Sequence, residues 1–314
     1  MQTVGICRAL DAYRFLPAWE SFIAGLGFEV RVSPPTSRRM LLAGIRIAPA
    51  ELCLPVKAFL GHVVTLAPSV DRLLLPRLVC WRRDGDIEFA CPKALALPDL
   101  TRALLPDLPP AAEIVFDERA HSEDESFRRL ARALGVGGGR WRRALRAARS
   151  VVSAGVGVDA ANASGPRVAV VGHDYLLGDD ELSMGVVAAL RRAGASPFVA
   201  RPGVADSVPP GCFEPNWRFE RELLRAAFRA AADPEVGGLV LAASFACGTA
   251  AVTNELIRLS VRRVPGREAG MPILELLFDE HSSPGGLATR LESFVEMLRR
   301  PRASRRLDSA AVGR

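Results

Sequence analysis

Lysine is almost missing from this chain. Of 314 residues only Lys57 and Lys93 are lysines, against 39 arginines. A skew of that size reflects genome composition more than function, so the two retained lysines carry information. Tyrosine is scarce as well (Tyr13 and Tyr175), and aromatic residues total 6%. So few rings leave little for the stacking platforms that single-stranded nucleic acids require. No uncharged run reads as a membrane span. The longest, residues 236–254, contains three glycines and an asparagine and reads as a buried strand, a tight turn and a helix start. There is no G-x-x-x-x-G-K-[ST] loop, no strand-following G-x-G-x-x-G and no G-x-S-x-G elbow. ATP hydrolysis, dinucleotide binding and serine-hydrolase chemistry by those devices are therefore excluded. The opening residues lack a basic segment followed by an apolar one, so the expected location is cytoplasmic. In that compartment six cysteines read as free thiols or metal ligands, not as a disulfide framework.

What is present is a globular composition, 49% apolar and 24% charged. The formal charge of +6 invites a nucleic-acid reading, but the excess is local. Residues 299–314 hold six arginines and one acid, residues 122–150 eight arginines and three acids, and the remaining body is slightly acidic. The spacing predicts strands at Thr3–Cys7, Phe28–Ser33, Asp71–Val79 and Glu113–Asp117, with helices at Ala12–Gly25, Ser37–Ala43, Cys53–Ala67 and Asp99–Leu105 between them. Two Arg-rich helices, Glu123–Leu134 and Arg140–Val152, follow, broken at Gly135–Gly139. A phosphate loop would need a strand before its glycines, and here a helix precedes them. After a loop-like stretch at 156–166 the plan repeats. Strands are expected at Arg167–Val171, Pro197–Ala200, Gly238–Ser244 and Met271–Phe278, and helices at Glu181–Ala193, Phe219–Ala232, Thr249–Val261 and Gly286–Arg299. Strands alternating with helices imply an α/β protein with mainly parallel sheets covered on both faces. The expected division is an N-terminal α/β domain over 1–120, an Arg-rich helical connector and linker over 121–165, a C-terminal α/β domain over 166–300 and a disordered basic tail over 301–314. Ligands in such folds sit beyond the carboxyl ends of the strands, in the cleft.

Three cysteines share a local grammar. Cys53 lies in Glu51-Leu52-Cys53-Leu54-Pro55-Val56-Lys57, Cys91 in Cys91-Pro92-Lys93, and Cys247 in Ser244-Phe245-Ala246-Cys247-Gly248. Both lysines fall within four residues of a cysteine, with a proline between. A compact ammonium, not the planar arginine fork, is what those places retain. The cysteines follow strands or open helices, where free N–H groups and positive charge stabilise thiolates and the sulfurs of an anionic iron–sulfur cluster. Three ligands in place of four would leave one iron open. The competing reading is three inert buried thiols, since no compact Cys-x-x-Cys pair is present. Cys7, Cys80 and Cys212 are read as structural. Asp279-Glu280-His281-Ser282-Ser283 follows a buried strand and could orient a ligand, accept a proton or tune a cluster; it also fits a capped helix-entry loop. Gly172-His173-Asp174-Tyr175 is read as a turn, and the lone His62 as structural.

The run Glu51–Lys57 with Phe59-Leu60-Gly61-His62, then Pro76-Arg77, Cys91-Pro92-Lys93 and Leu97-Pro98-Asp99, resembles the acyl-CoA dehydratase activase-related (DUF2229-type) family, relatives of the 2-hydroxyacyl-CoA dehydratase subunits. Val4-Gly5-Ile6, Ser33-Pro34-Pro35-Thr36, the 172–179 stretch, Ser244–Gly248, Asp279-Glu280-His281 and Thr289–Phe294 extend the resemblance from about residue 3 to 298. It implies two Rossmann-like domains with a cluster site in the cleft between them, and a [4Fe-4S] cluster held by Cys53, Cys91 and Cys247. Lys57, Lys93, Glu51, His62, Asp279, Glu280 and His281 would surround that cluster or a ligand. In the relatives an ATP-hydrolysing activase supplies the electron, and a hydroxyacyl-CoA receives it and loses water through a ketyl radical. The expected partners are an activase ATPase or a dehydratase subunit and an acyl-CoA, in a homo- or hetero-oligomer, with no nucleic acid and no membrane. The alternative is a non-catalytic scaffold that docks such a subunit. Two departures stand out. Cys7 replaces a proline common in relatives, and Cys247-Gly248-Thr249-Ala250 lacks the usual Pro-Asp.

Overall fold

The computed structural model describes residues 1–83, 85–151, 165–203, 208 and 210–300. The tail expected at 301–314 and most of the 156–166 linker lie outside the described residues.

The first half runs β1 (Thr3–Ile6), α1 (Ala12–Gly25), β2 (Glu29–Val32), α2 (Arg38–Ile47), α3 (Leu54–Leu66), β3 (Arg72–Arg83), β4 (Asp86–Phe89), α4 (Pro92–Leu104), β5 (Ala111–Asp117), α5 (Glu123–Ala133) and α6 (Arg140–Ser150). Its sheet has the order β2-β1-β3-β4, with β5 also paired to β3. All pairings are parallel except β3–β4. The apolar run Leu73–Leu75 is buried on both faces, as a central parallel strand requires. The second half runs β6 (Arg167–Val171), α7 (Asp174–Leu177), α8 (Asp180–Ser183), α9 (Val186–Arg192), β7 (Ser196–Val199), α10 (Arg218–Ala232), β8 (Val236–Ser244), α11 (Gly248–Ser260), β9 (Ile273–Phe278) and α12 (Pro284–Arg299). Its sheet, β7-β6-β8-β9, is wholly parallel. The architecture is thus α/β with Rossmann-like parallel sheets. The Arg-rich helices α5 and α6, assigned from sequence to a connector, bury Phe127, Leu130, Leu145 and Ala148 in the same core as Val4, Ile6 and Leu74.

Three local expectations need correction. The strand expected to end at Val79 continues to Arg83, because Cys80–Arg83 pair antiparallel with β4. The charged, half-solvated hairpin interrupts the apolar pattern and hid β4. The helix expected at Asp99–Leu105 starts at Pro92 instead, where proline occupies a first-turn position that needs no N–H. The single helix expected over 181–193 is two, since Met184 and Gly185 both adopt left-handed backbone (φ 52° and 57°).

Helix α3 joins the halves. Eleven of its 13 residues are buried. Val56, Phe59 and Val63 pack with Leu73 and Leu75 of the first sheet. Leu54 and Ala58, together with Leu41 of α2, pack with Val168, Val170 and Val240 of the second. Helices α2 and α3 approach closely because Gly44 faces the Lys57 carbonyl and Gly61 faces the Met40 carbonyl; a Cβ at either glycine would overlap that oxygen.

The polar groups of α3 are all spoken for. Lys57 is buried and its Nζ lies 2.6 Å from Glu280 Oε1, beyond β9. His62, fully buried, is one link in a chain whose direction is fixed. Asp179 can only accept, so the Thr36 hydroxyl donates to it. Thr36 Oγ1 therefore accepts from His62 Nε2–H at 2.9 Å, and Nδ1 accepts from the Ser33 hydroxyl at 2.7 Å. Tyr13 adds a second donor to Asp179 at 2.9 Å. Burial, then the Arg8 charge, lowers the His62 pKa to about 4, which keeps the ring neutral.

Gly44→Ala and Gly61→Ala are each expected to cost about 2 kcal/mol or more, because backbone must move to relieve the overlap. An unchanged urea midpoint would contradict the close approach. His62 binds fewer protons folded than unfolded between about pH 4 and 6.5, so its contribution is complete above that window and lost as pH falls through it. Wild type should therefore lose more stability than His62→Gln between pH 7 and 5, other groups being common to both. Equal losses in denaturant titrations would refute this account.

Candidate functional site

In each sheet the first strand is flanked by its second and third, so the crossovers leave in opposite directions beside β1 and beside β6. Those are the switch points where α/β sheets open a crevice at the carboxyl ends. A cavity of about 440 Å³ lies there. Leu10 and Asp11 reach it from beyond β1, His173 and Tyr175 from beyond β6, and Cys247 from beyond β8. Cys53 and Cys91 complete it from the starts of α3 and α4.

Each of these three cysteines is the N-cap of a helix: Cys53 of α3, Cys91 of α4 and Cys247 of α11. Their sulfurs therefore sit at the positive ends of helix dipoles among N–H groups without helical partners. Cys91 Sγ accepts from Ala94 N–H at 3.4 Å, and Cys247 Sγ lies 3.6 Å from Thr249 Oγ1. Burial nonetheless dominates two of the thiols. It raises Cys53 against the pull of the Lys93 ammonium, and pushes Cys91 up to about 12. Cys53 and Cys91 are thus held as protonated thiols, unsuited to act as free nucleophiles. Among the described residues no three His, Cys, Asp or Glu side chains converge tightly enough to hold a metal ion.

Lys93 fastens the cysteine-bearing segments together. Its Nζ donates to the Ala246 carbonyl at 2.7 Å and to the Glu51 carbonyl at 3.3 Å. One ammonium, two residues after Cys91, thus grips the chain one residue before Cys247 and two before Cys53. Leu54 N–H adds a bond to Ser244 Oγ at 3.1 Å. Ala246 and Leu10, both on the cavity wall, hold left-handed backbone at φ 62° and 51°. Such conformations persist in non-glycine residues only where surrounding contacts impose them.

The same cavity is lined by ionisable groups that sequence reasoning did not join to the cysteines. Burial raises the Asp11 carboxyl to about 6, although Arg14 and His173 oppose it. His173 Nε2 lies 3.3 Å from Glu220 Oε1, both buried, and the ring stacks on Tyr175 at 4.8 Å. Burial works against the Glu220 carboxylate, but His173 and Thr249 hold it below its ordinary value. Burial first, then the nearby sulfurs, raises the Tyr175 hydroxyl. His173, two residues after β6, was legible as a strand-end residue, whereas Asp11 comes five residues after β1. Glu220 lies in the first turn of an Arg-rich amphipathic helix and has no distinguishing pattern.

Of the residues expected around the cysteines, Lys93 lines the cavity and the others do not. Lys57 and Glu280 pair with each other, and Lys57 holds the Glu280 carboxylate below its usual value against the cost of burial. Glu51 offers only its carbonyl. His62 belongs to the chain under α3, Asp279 accepts from Ser282 Oγ and His281 N–H in its own turn, and His281 is exposed.

No curated protein matches the chain significantly. Among solved structures, the catalytic subunit of cobaltochelatase from Mycobacterium tuberculosis aligns at 14% identity with a TM-score of 0.32, over 88% of this chain and 21% of that one. The chain thus spans about a fifth of that protein's length. No described helix is long and apolar enough to cross a membrane. The family described as "CoA enzyme activase uncharacterised domain (DUF2229)" matches residues 3–201, which include Cys53, Cys91, Lys93, Asp11 and His173. By that match, which takes in well over half of the sequence, the chain belongs to the DUF2229 family of CoA enzyme activase domains.

Proposed function

We propose that Cys53, Cys91 and Cys247 hold a [4Fe-4S] cluster in the cleft between two Rossmann-like domains. The protein would then be a redox component acting in or alongside an ATP-driven low-potential electron-transfer system. An ATP-hydrolysing activase or a dehydratase subunit is the partner this reading calls for, with an acyl-CoA as its substrate class. The observation that carries the reading is the convergence of three helix-capping cysteines, from segments far apart in sequence, on one cavity.

The donor set fits the group. The sulfurs surround a space instead of meeting at a point, which suits a cluster gripped at its perimeter better than a single ion. Helix N-termini and Lys93 offset the negative charge of cluster and thiolates. When bound, such a cluster supplies one-electron chemistry whose potential is set by hydrogen bonds to sulfur and by burial. The chain's own residues do the rest. Val56, Pro92 and Phe219 keep water from the wall, and Asp11 holds a proton facing the cavity up to about pH 6. A docking role draws support from α6, which presents Arg142, Arg143 and Arg146 on its exposed face.

Anaerobically reconstituted protein should contain about four iron and four sulfide per chain. Cys53→Ala, Cys91→Ala and Cys247→Ala should each lose the brown chromophore, whereas Cys7→Ala, Cys80→Ala and Cys212→Ala should keep it. Iron-free wild-type protein after reconstitution would defeat the proposal. Removing the half-buried ammonium in Lys93→Met should loosen the strand-end segment it grips. Alkylation of Cys247 in the metal-free protein, read by peptide mass, should accelerate by about tenfold or more. Lys93→Arg should not restore the wild-type rate, because the planar fork does not match two carbonyls met by a point charge. A rate unchanged in Lys93→Met would remove Lys93 from this role.

A further inference from the structure

A second cavity, of about 430 Å³, opens at the carboxyl ends of β3 and β5 against α1. That volume suits a small organic ligand. Its floor is aromatic. Trp81 and Phe116 come from the two strands, Phe15 and Trp19 from successive turns of α1. Phe15 stacks toward Phe116 with centroids 6.4 Å apart and planes 23° apart, and sits 5.7 Å from Trp19.

The charges on the rim are unevenly matched. Glu118 is held by Arg82, through the backbone N–H at 2.5 Å and Nε to its carbonyl at 3.0 Å. Glu123 faces Arg149 at 3.6 Å. Arg218 is different. Its guanidinium lies 4.6 Å over the Trp81 ring, and its Nε is buried with no hydrogen-bond partner. The nearest acid is Glu222, whose Oε1 stays 3.6 Å away while Oε2 is engaged by Arg14 at 2.6 Å. The Nε is closed off, but the side chain is a quarter exposed, so a ligand in the cavity can meet the guanidinium from its open side.

We propose that this cavity binds a nucleotide: a planar heteroaromatic base laid against the Trp and Phe rings, with its phosphate received by Arg218. Aromatic faces take bases without regard to sequence, and arginine is the preferred partner of phosphate. The rings and the under-used guanidinium together select a ring that carries an anion, over an aliphatic chain or a neutral ring. The site is independent of the proposed cluster but shares a wall with its cavity. Phe219, which lines the cysteine cavity, meets Trp81 edge-on at 5.6 Å, and Arg218 precedes it in the first turn of α10.

The test is calorimetric titration of the full chain with ADP, adenosine and inorganic phosphate separately, repeated with Cys53→Ala so that loss of the cluster reading leaves this one standing. ADP should bind at least about tenfold more tightly than either fragment, in wild type and in Cys53→Ala alike. Arg218→Gln should weaken ADP by about tenfold and leave adenosine unchanged. Ala18→Phe, which puts an apolar ring into the cavity, should abolish both, with its fold checked by circular dichroism. ADP binding no tighter than phosphate, or binding that survives Arg218→Gln and Ala18→Phe, would overturn the proposal.

Discussion

Everything around the cysteine cavity hangs on the burial of α3 between two sheets. A helix apolar on one stripe can lie on a surface, but one apolar all round must be enclosed. With Phe59 and Val63 in one core and Leu54 and Ala58 in the other, neither sheet can close without it. Enclosure then dictates the rest. Gly44 and Gly61 are needed so that α2 can cover the remaining face, Lys57 must find Glu280, and His62 must be satisfied by Ser33 and Thr36. An unpaired charge or imidazole at those positions would carry the full cost of desolvation. Fixing α3 between the sheets also fixes its N-terminus, and with it Cys53, beside the carboxyl ends of β1 and β8.

The same economy of polar contacts explains why lysine is retained at these two places. Lys57 and Lys93 do different work. Lys57 meets a carboxylate and locks α3 to the turn after β9. Lys93 meets two carbonyls and draws the Cys53 and Cys247 segments toward Cys91. Both tasks suit a small cation on a flexible stem that can enter a narrow space, and both would be awkward for a guanidinium in a protein otherwise committed to arginine.

The cavity lining is of two chemical kinds: three cysteines at helix starts, and the ionisable groups of Asp11, the His173–Glu220 pair and Tyr175. Apolar surroundings push carboxyl and thiol groups toward their neutral forms, so Asp11 and Cys91 both retain protons beyond their ordinary range. Protonated carboxyl and thiol groups therefore share one cavity.

Hydrophobic period alone determined much of this protein. Alternating strands and helices, the buried run at Leu73–Leu75, the break after α5 and the helix-start positions of Cys53 and Cys247 all follow from local pattern and turn chemistry. The expected α/β class with parallel sheets is what the chain forms. Local pattern failed where a charge interrupted it, as at β4, or where left-handed backbone did, as between α8 and α9. It also could not pair residues distant in sequence. That Lys57 belongs to Glu280, that His62 meets Thr36 and through it Asp179, and that Glu220 shares a cavity with Cys91 are consequences of how the two sheets pack around one helix. Side-chain type and spacing are properties of the chain; which buried polar group satisfies which is decided only when desolvation forces each to find a partner in three dimensions.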